Sequence, residues 1–152
     1  MIRVQHQAFD VGAELGLLKA HNRNIGGTVI FVGTVRDISA GGTVGAMTLE
    51  HYPGMTEQAL EEIEAEALRR WPLEASLIVH RHGRLEPSDD IVLVITASAH
   101  REAAFEACHF LIDWLKTKAP FWNLEDSPEG ANWVAAKDSD DTAASRWDKT
   151  RP

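Results

Sequence analysis

Ile91-Val-Leu-Val-Ile-Thr-Ala97 and the stretch after it, Ser98-Ala-His-Arg-Glu-Ala-Ala-Phe-Glu-Ala-Cys-His-Phe-Leu-Ile-Asp-Trp-Leu-Lys116, decide the fold class. The first part is apolar, rich in β-branched residues and strand-sized, so it reads as a buried strand. Ser98 then offers a side-chain cap. Phe105, Cys108, Ile112 and Leu115 recur at helical spacing, which predicts a helix from about His100 to Lys116, stopped by Pro120. A strand feeding an amphipathic helix, within a chain that mixes both periods throughout, predicts the α+β class.

Working outward, residues 76–82 read as a strand that reaches 91–97 through the turn Glu86-Pro-Ser-Asp89. Before it, Thr56 looks like an N-cap, with Glu57 suited to the positive helix start. Leu60, Ile63 and Ala67 form the buried stripe of that helix, and Pro72 ends it. Residues 28–35 and 44–51 read as two strands around the Gly-rich turn at 39–42, spaced to pair as a hairpin. Asp10 is placed to cap a short helix carrying Leu15 and Leu18 on its apolar face. Downstream, 121–126 and 132–137 read as short extended segments around Ser127-Pro-Glu-Gly130. Residues 139–147 read as a short helix, with 148–152 frayed. There is no repeat and no linker, so 1–152 is expected to be one domain.

Composition narrows the function classes. The 152 residues are 44% hydrophobic and 25% charged, ordinary for a globular chain, and 15 Lys plus Arg against 23 Asp plus Glu give a net charge of −8. That balance opposes non-specific nucleic-acid binding, which needs clustered cations against phosphate. The single cysteine, Cys108, forms no internal disulfide and falls on an apolar stripe, so it is read as a core thiol. No apolar run approaches a membrane span and the N-terminus shows no secretory pattern, so a cytoplasmic location without membrane attachment is expected.

The cations carry more information than their number. Arg36 follows a strand. His100 and Arg101 stand at a helix start, where backbone N–H groups favour an anion and a guanidinium adds a forked donor. Lys116 and Lys118 end the same helix beside Pro120-Phe121-Trp122, where they also serve simply to answer the helix dipole. Lys137 ends an extended segment. His80 and His82 are spaced to share a strand face, but no third ligand stands at motif spacing, so no metal site is expected. The residues alone lead to an α+β domain with a candidate anion pocket.

Several stretches resemble the catalytic (large) subunit of molybdopterin synthase. They are Phe31-Val-Gly-Thr-Val-Arg-Asp37, Leu49-Glu-His-Tyr-Pro-Gly-Met-Thr-Glu57, His80-Arg-His-Gly83, Ser98-Ala-His-Arg101 with Ala104-Phe-Glu-Ala107, and Leu115-Lys-Thr-Lys-Ala-Pro-Phe-Trp122. Gly130, Trp133-Val134 and Lys137 follow in order. The resemblance implies an α/β-hammerhead-like α+β fold with an added small β subdomain, and a homodimer. Each large subunit would bind a small ubiquitin-like sulfur carrier whose C-terminal Gly-Gly ends in a thiocarboxylate. Two sulfurs, delivered one at a time, would convert cyclic pyranopterin monophosphate into the dithiolene of molybdopterin. No resident cofactor or metal is implied; the pterin is substrate and product. Since this chain ends Thr150-Arg-Pro152, the carrier is expected as a separate chain.

The same resemblance assigns roles. Arg36, His100 and Arg101 would hold the anionic substrate, with residues from both protomers, and Lys137 would add a cation. Lys116 would meet the thiocarboxylate, as its ion-pair partner, as an oxyanion stabiliser or as a proton carrier. Phe121 and Trp122 would shape the channel for the Gly-Gly tail. Two positions depart from the family pattern. Thr34 and Asn123 stand where lysines are usual, and asparagine hydrogen-bonds but carries no charge. Asn123 therefore keeps open a non-catalytic, carrier-binding alternative.

Overall fold

Strict alternation along two strands builds the core. The computed structural model describes residues 1–36, 46–127, 130–134 and 138–148, with the backbone alone across 123–140. Strand β4 (Leu73–Arg81) pairs antiparallel with β6 (Asp90–Ser98). Leu77, Val79, Leu93 and Ile95 point to one face; Ile78, Val92 and Val94 point to the other. Neighbouring residues on a strand face opposite ways, so both faces of this sheet are apolar and both need a cover.

The covers are helices. Helix α1 (Val11–Lys19) lays Leu15 and Leu18 on the first face. Helices α2 (Met55–Arg70) and α3 (Arg101–Lys118) cover the second, with Leu60, Ile63, Ala67, Phe110, Leu111 and Leu115 buried against Ile78 and Val94. Each fully buried large side chain of this kind contributes roughly 1.5–3 kcal/mol. Strand β1 (Ile2–Gln5) joins parallel to β4, and β2 (Gly27–Thr34) antiparallel to β6, giving the order β1-β4-β6-β2.

A second sheet is antiparallel throughout, in the order β5-β3-β7-β8, from β3 (Met47–His51), β5 (Gly83–Leu85), β7 (Phe121–Ser127) and β8 (Gly130–Val134). Val35, Leu49 and Leu85 pack between the two sheets. Helix α4 (Asp138–Ser145) lies on α3, and the Trp147 beyond it is buried with its indole N–H donating to Asp113 at 2.7 Å. The α+β class with an added β unit agrees with expectation. No helix among the described residues is long and apolar enough to cross a membrane.

Four local expectations are corrected. Strands β2 and β3 do not form a hairpin; they belong to different sheets, because β2 finds its partner in β6 and β3 in β5 and β7. Thr56 does not cap α2. Gly54 occupies that position with φ +87°, Glu57 accepts the Gly54 N–H, and Thr56 is wholly buried. Phe105 is not in the buried stripe of α3: it is 61% exposed and Ala104 is buried in its place, while Cys108 and Leu115 are buried as expected and Ile112 is partly buried beside Leu111. Ser98 ends β6, and His100 is the N-cap residue of α3, without a side-chain cap bond. Asp10 does cap α1, accepting from the Ala13 N–H at 2.9 Å. Lys137, the 39–42 turn, and 149–152 of the expected frayed end lie outside the described residues.

Candidate functional site

The short connection from β6 to α3 sets where the cations go. Gly26 donates its N–H to the Ser98 carbonyl, and a Cβ on Gly26 would collide with the Ala99 carbonyl oxygen, so only glycine lets the chain pass there. His100 and Arg101 open α3 beside Gly27 and are both exposed. The helix then runs back along the sheet. Lys116, in its last turn, is about 22 Å from Arg101 at 1.5 Å per residue.

Arg36 lies at the Lys116 end. Strand β2 starts opposite Ser98 and finishes, roughly 24 Å on, with Thr34 opposite Asp90, so Arg36 is beyond the far end. Val35 is pinned there twice, donating to the Asp89 carbonyl at 2.9 Å and accepting from the Ser88 N–H at 2.8 Å. The expected substrate-binding set is therefore divided within one chain. Arg36 and Lys116 share one end of the sheet; His100 and Arg101 share the other.

Around Lys116 the structure assembles a ring-lined wall. His80, on the α3-facing side of β4, stacks on Phe121 with ring centroids 3.7 Å apart. Its Nδ1 lies 2.8 Å from the Arg81 carbonyl, which fixes Nδ1 as the protonated nitrogen. Burial pushes the imidazole down to about 4, the Arg81 carbonyl opposes this, and the nearby Lys116, His51 and His82 push it further down. His80 is thus neutral at physiological pH beneath a lysine. Thr56 ties this turn to α2: its hydroxyl donates to the Pro120 carbonyl at 3.1 Å and accepts the Tyr52 N–H at 3.0 Å.

Beside this wall is a shallow hollow of about 520 Å³, largely open to solvent and lined, among the described residues, by Glu50, His51, Tyr52 and Trp122. Tyr52 and Trp122 meet edge to face at 4.4 Å. The β3–β7 register places His51 opposite Phe121 and Leu49 opposite Asn123. The His51 ring sits 4.2 Å from that of His82, which is 6.2 Å from that of His6. Burial lowers the His82 pKa, as do His51 and His6, against Glu50 and Glu57.

Lys116, Phe121, Trp122 and the backbone of Asn123 are therefore brought together, with Arg36 at the same end, while His100 and Arg101 are not. His80 and His82 do not act as a pair: His80 turns under Phe121 and His82 towards His51 and His6. Among the described residues no three His, Cys, Asp or Glu side chains could hold a metal ion. Cys108 is buried and burial pushes its thiol up to about 11, which suits a core residue. Glu50, His51 and Tyr52 were not singled out as site residues from sequence. The usable signal was the alternation of 47–51, which allows a partner strand at 121–125 and so a shared wall.

Comparison with known proteins places this geometry in a family. Residues 4–118 match the model of the family described as MoaE protein. The chain is 59% identical to the molybdopterin synthase catalytic subunit of Pseudomonas aeruginosa, over 97% of this chain and 99% of the relative. It is 52% identical to the Escherichia coli K12 molybdopterin synthase catalytic subunit, over 96% and 97%. The solved molybdopterin biosynthesis MoaE protein from Burkholderia ambifaria superposes with a TM-score of 0.85 at 54% identity, covering 98% of both chains.

Proposed function

The chain belongs to the MoaE protein family, and on that premise we propose how its residues do the work of a molybdopterin synthase catalytic subunit. Its role is that of the catalytic subunit in molybdenum cofactor biosynthesis. The reaction is sulfur transfer from the C-terminal thiocarboxylate of a small carrier protein to cyclic pyranopterin monophosphate.

The observation that supports this reading is the position of Lys116. It ends α3 beside the stacked His80–Phe121 pair, next to the hollow walled by Trp122 and Tyr52. A narrow Gly-Gly tail running past these rings would bring its terminal acyl carbon to a cation. An ammonium at that point stabilises the oxyanion that forms when the acyl carbon is attacked. His80, kept neutral, adds no competing charge below it. Arg36 at the same end supplies a forked donor for the substrate's cyclic phosphate.

His100 and Arg101 complete the anion site from a second protomer. Within one chain they stand about 22 Å from Lys116, too far to touch the same small substrate. A second copy, bringing the start of its α3 to the first copy's Lys116 end, closes the set. The assembly is then a homodimer of this chain with one carrier per pocket, acting in the cytoplasm without membrane attachment or a resident cofactor.

The test is a single-turnover reaction of this protein with a thiocarboxylated carrier and cyclic pyranopterin monophosphate, with dithiolene product quantified. Product is expected, and Lys116→Ala is expected to abolish it. Wild-type conversion by Lys116→Ala would refute the role given to that residue. Tight carrier binding with no turnover by the native chain would favour the reading that Asn123 motivates, a carrier-binding protein without catalysis.

A further inference from the structure

The acyl-release step needs a proton acceptor, and position 123 cannot be one. Once the carrier's sulfur has bonded to the substrate carbon, the two are joined through an acyl carbon–sulfur bond. Water must add to that carbon and give up a proton. The carbon–sulfur bond then breaks, the sulfur stays on the substrate as a thiolate, and the carrier keeps the oxygen as a carboxylic acid that ionises into solvent. Asn123 has no site that holds a proton near neutral pH.

We propose that His51, backed by Glu57, is the group that accepts the water proton, in place of a lysine at position 123. This rests on the sulfur-transfer reading above. The register sets the geometry: His51 faces Phe121 and Leu49 faces Asn123 across β3 and β7. Directly opposed residues share a sheet face, so His51 and position 123 lie on one face, about 7 Å apart along the strands. Glu50 and Trp122, opposed to each other, face the other way; His51 borders their hollow, and its side chain, turned towards Phe121, His82 and Glu57, keeps only 13% of its accessibility.

Its neighbours suit a proton acceptor. Glu57, from the first turn of α2, places Oε1 3.9 Å from His51 Nε2, where a carboxylate stabilises an imidazolium once formed. That leaves Nδ1 for the water. His82 faces the ring at 4.2 Å from beyond β4, with His6 behind it. Burial and these same neighbours keep His82 towards its neutral form, so it competes little for the charge. Phe121 stands on the opposing strand, with neutral His80 and the cation of Lys116 beyond it, and Glu50 is adjacent on β3. Histidine is the side chain that ordinarily changes charge between pH 5 and 8, which matches a step that takes a proton and returns it to solvent.

The experiment is single-turnover conversion between pH 5.5 and 8.5 by the wild type, His51→Gln, the double variant His51→Gln/Asn123→Lys, and Lys116→Ala. His51→Gln is expected to lower the rate roughly 100-fold, a usual size for loss of a general base, with KM for the carrier within about twofold. The acid limb of its pH profile should vanish, and Asn123→Lys should recover at least tenfold of the loss. A wild-type rate and profile in His51→Gln would overturn the proposal. So would a loss that appears in KM and is not rescued by Asn123→Lys. Absence of product with the wild type, or full activity of Lys116→Ala, would instead overturn the underlying functional reading. Should His51→Gln fail to fold, NMR of the wild-type imidazoles decides. The His51 ring resonances are expected to move when the carboxylate form of the carrier docks, and unmoved resonances from pH 5 to 8 would sink the proposal.

Discussion

Replacing Thr56 by valine keeps the side chain's shape and removes one oxygen from a position with no solvent access. That oxygen serves two backbone groups, accepting the Tyr52 N–H at 3.0 Å and donating to the Pro120 carbonyl at 3.1 Å. Each lost bond costs about 1 kcal/mol net, and more where the stranded partner cannot reach water. Two partly buried partners put the total at about 2–4 kcal/mol. With a urea slope of about 2 kcal/mol per molar, the unfolding midpoint should fall by about 1–2 M, read by tryptophan fluorescence. An accompanying Thr56→Asp variant separates this role from helix capping. Aspartate is as good an N-cap as threonine or better. Here it would bury a carboxylate against a carbonyl oxygen and should cost more than valine does. A valine midpoint within about 0.25 M of wild type, or a well-tolerated aspartate, would refute the reasoning.

Two further outcomes follow from buried groups. His80 titrates at 6.5 in the unfolded chain and at about 4 in the folded one, so the unfolded state binds more protons between those values. Its contribution is intact above about pH 6.5 and is lost as pH falls towards 4, up to about 3 kcal/mol. His80→Phe, which keeps a ring on Phe121, should remove most of that slope in urea titrations at stepped pH; an unchanged slope would contradict the assignment. Trp147→Ala empties a site where the indole meets Asp113, Trp71 and Phe110 edge-on, a loss of roughly 3–5 kcal/mol. Hydrogen exchange at 141–147 should then rise well above wild type, and unchanged protection would show that α4 is held by something else.

Much of the fold was legible because local signals agreed with tertiary need. The stripe of Leu60, Ile63 and Ala67 faces the core as its spacing predicts, and Asp10 caps as its position predicts. The strand-to-helix passage at 90–118 was visible for the same reason. What escaped was non-local. Whether β2 pairs with β3 or β6 depends on which partner buries both sheet faces, and spacing along the chain does not carry that. Strands β1 and β5 have four and three residues, too short for alternation to register. Thr56 looks like a cap in any window of ten residues, and only Pro120, 64 positions away, shows otherwise. Within the site, Lys116, Phe121 and Trp122 came from one contiguous motif. His51 and Tyr52 reach them only through the β3–β7 register.

The two ends of α3 carry an implication for inheritance. In the paired assembly proposed above, each pocket draws Lys116 from one copy and Arg101 from the other, so a defect at either residue disables a pocket without disabling its bearer everywhere. Consider a cell expressing two alleles, one lacking the Lys116 amine and one lacking the Arg101 guanidinium. Mixed pairs would concentrate both defects in one pocket and leave the other whole. Two alleles that are each null alone would then support growth together. In that assembly, one helix with a working group at each end would make the pair, rather than the polypeptide, the unit on which selection acts.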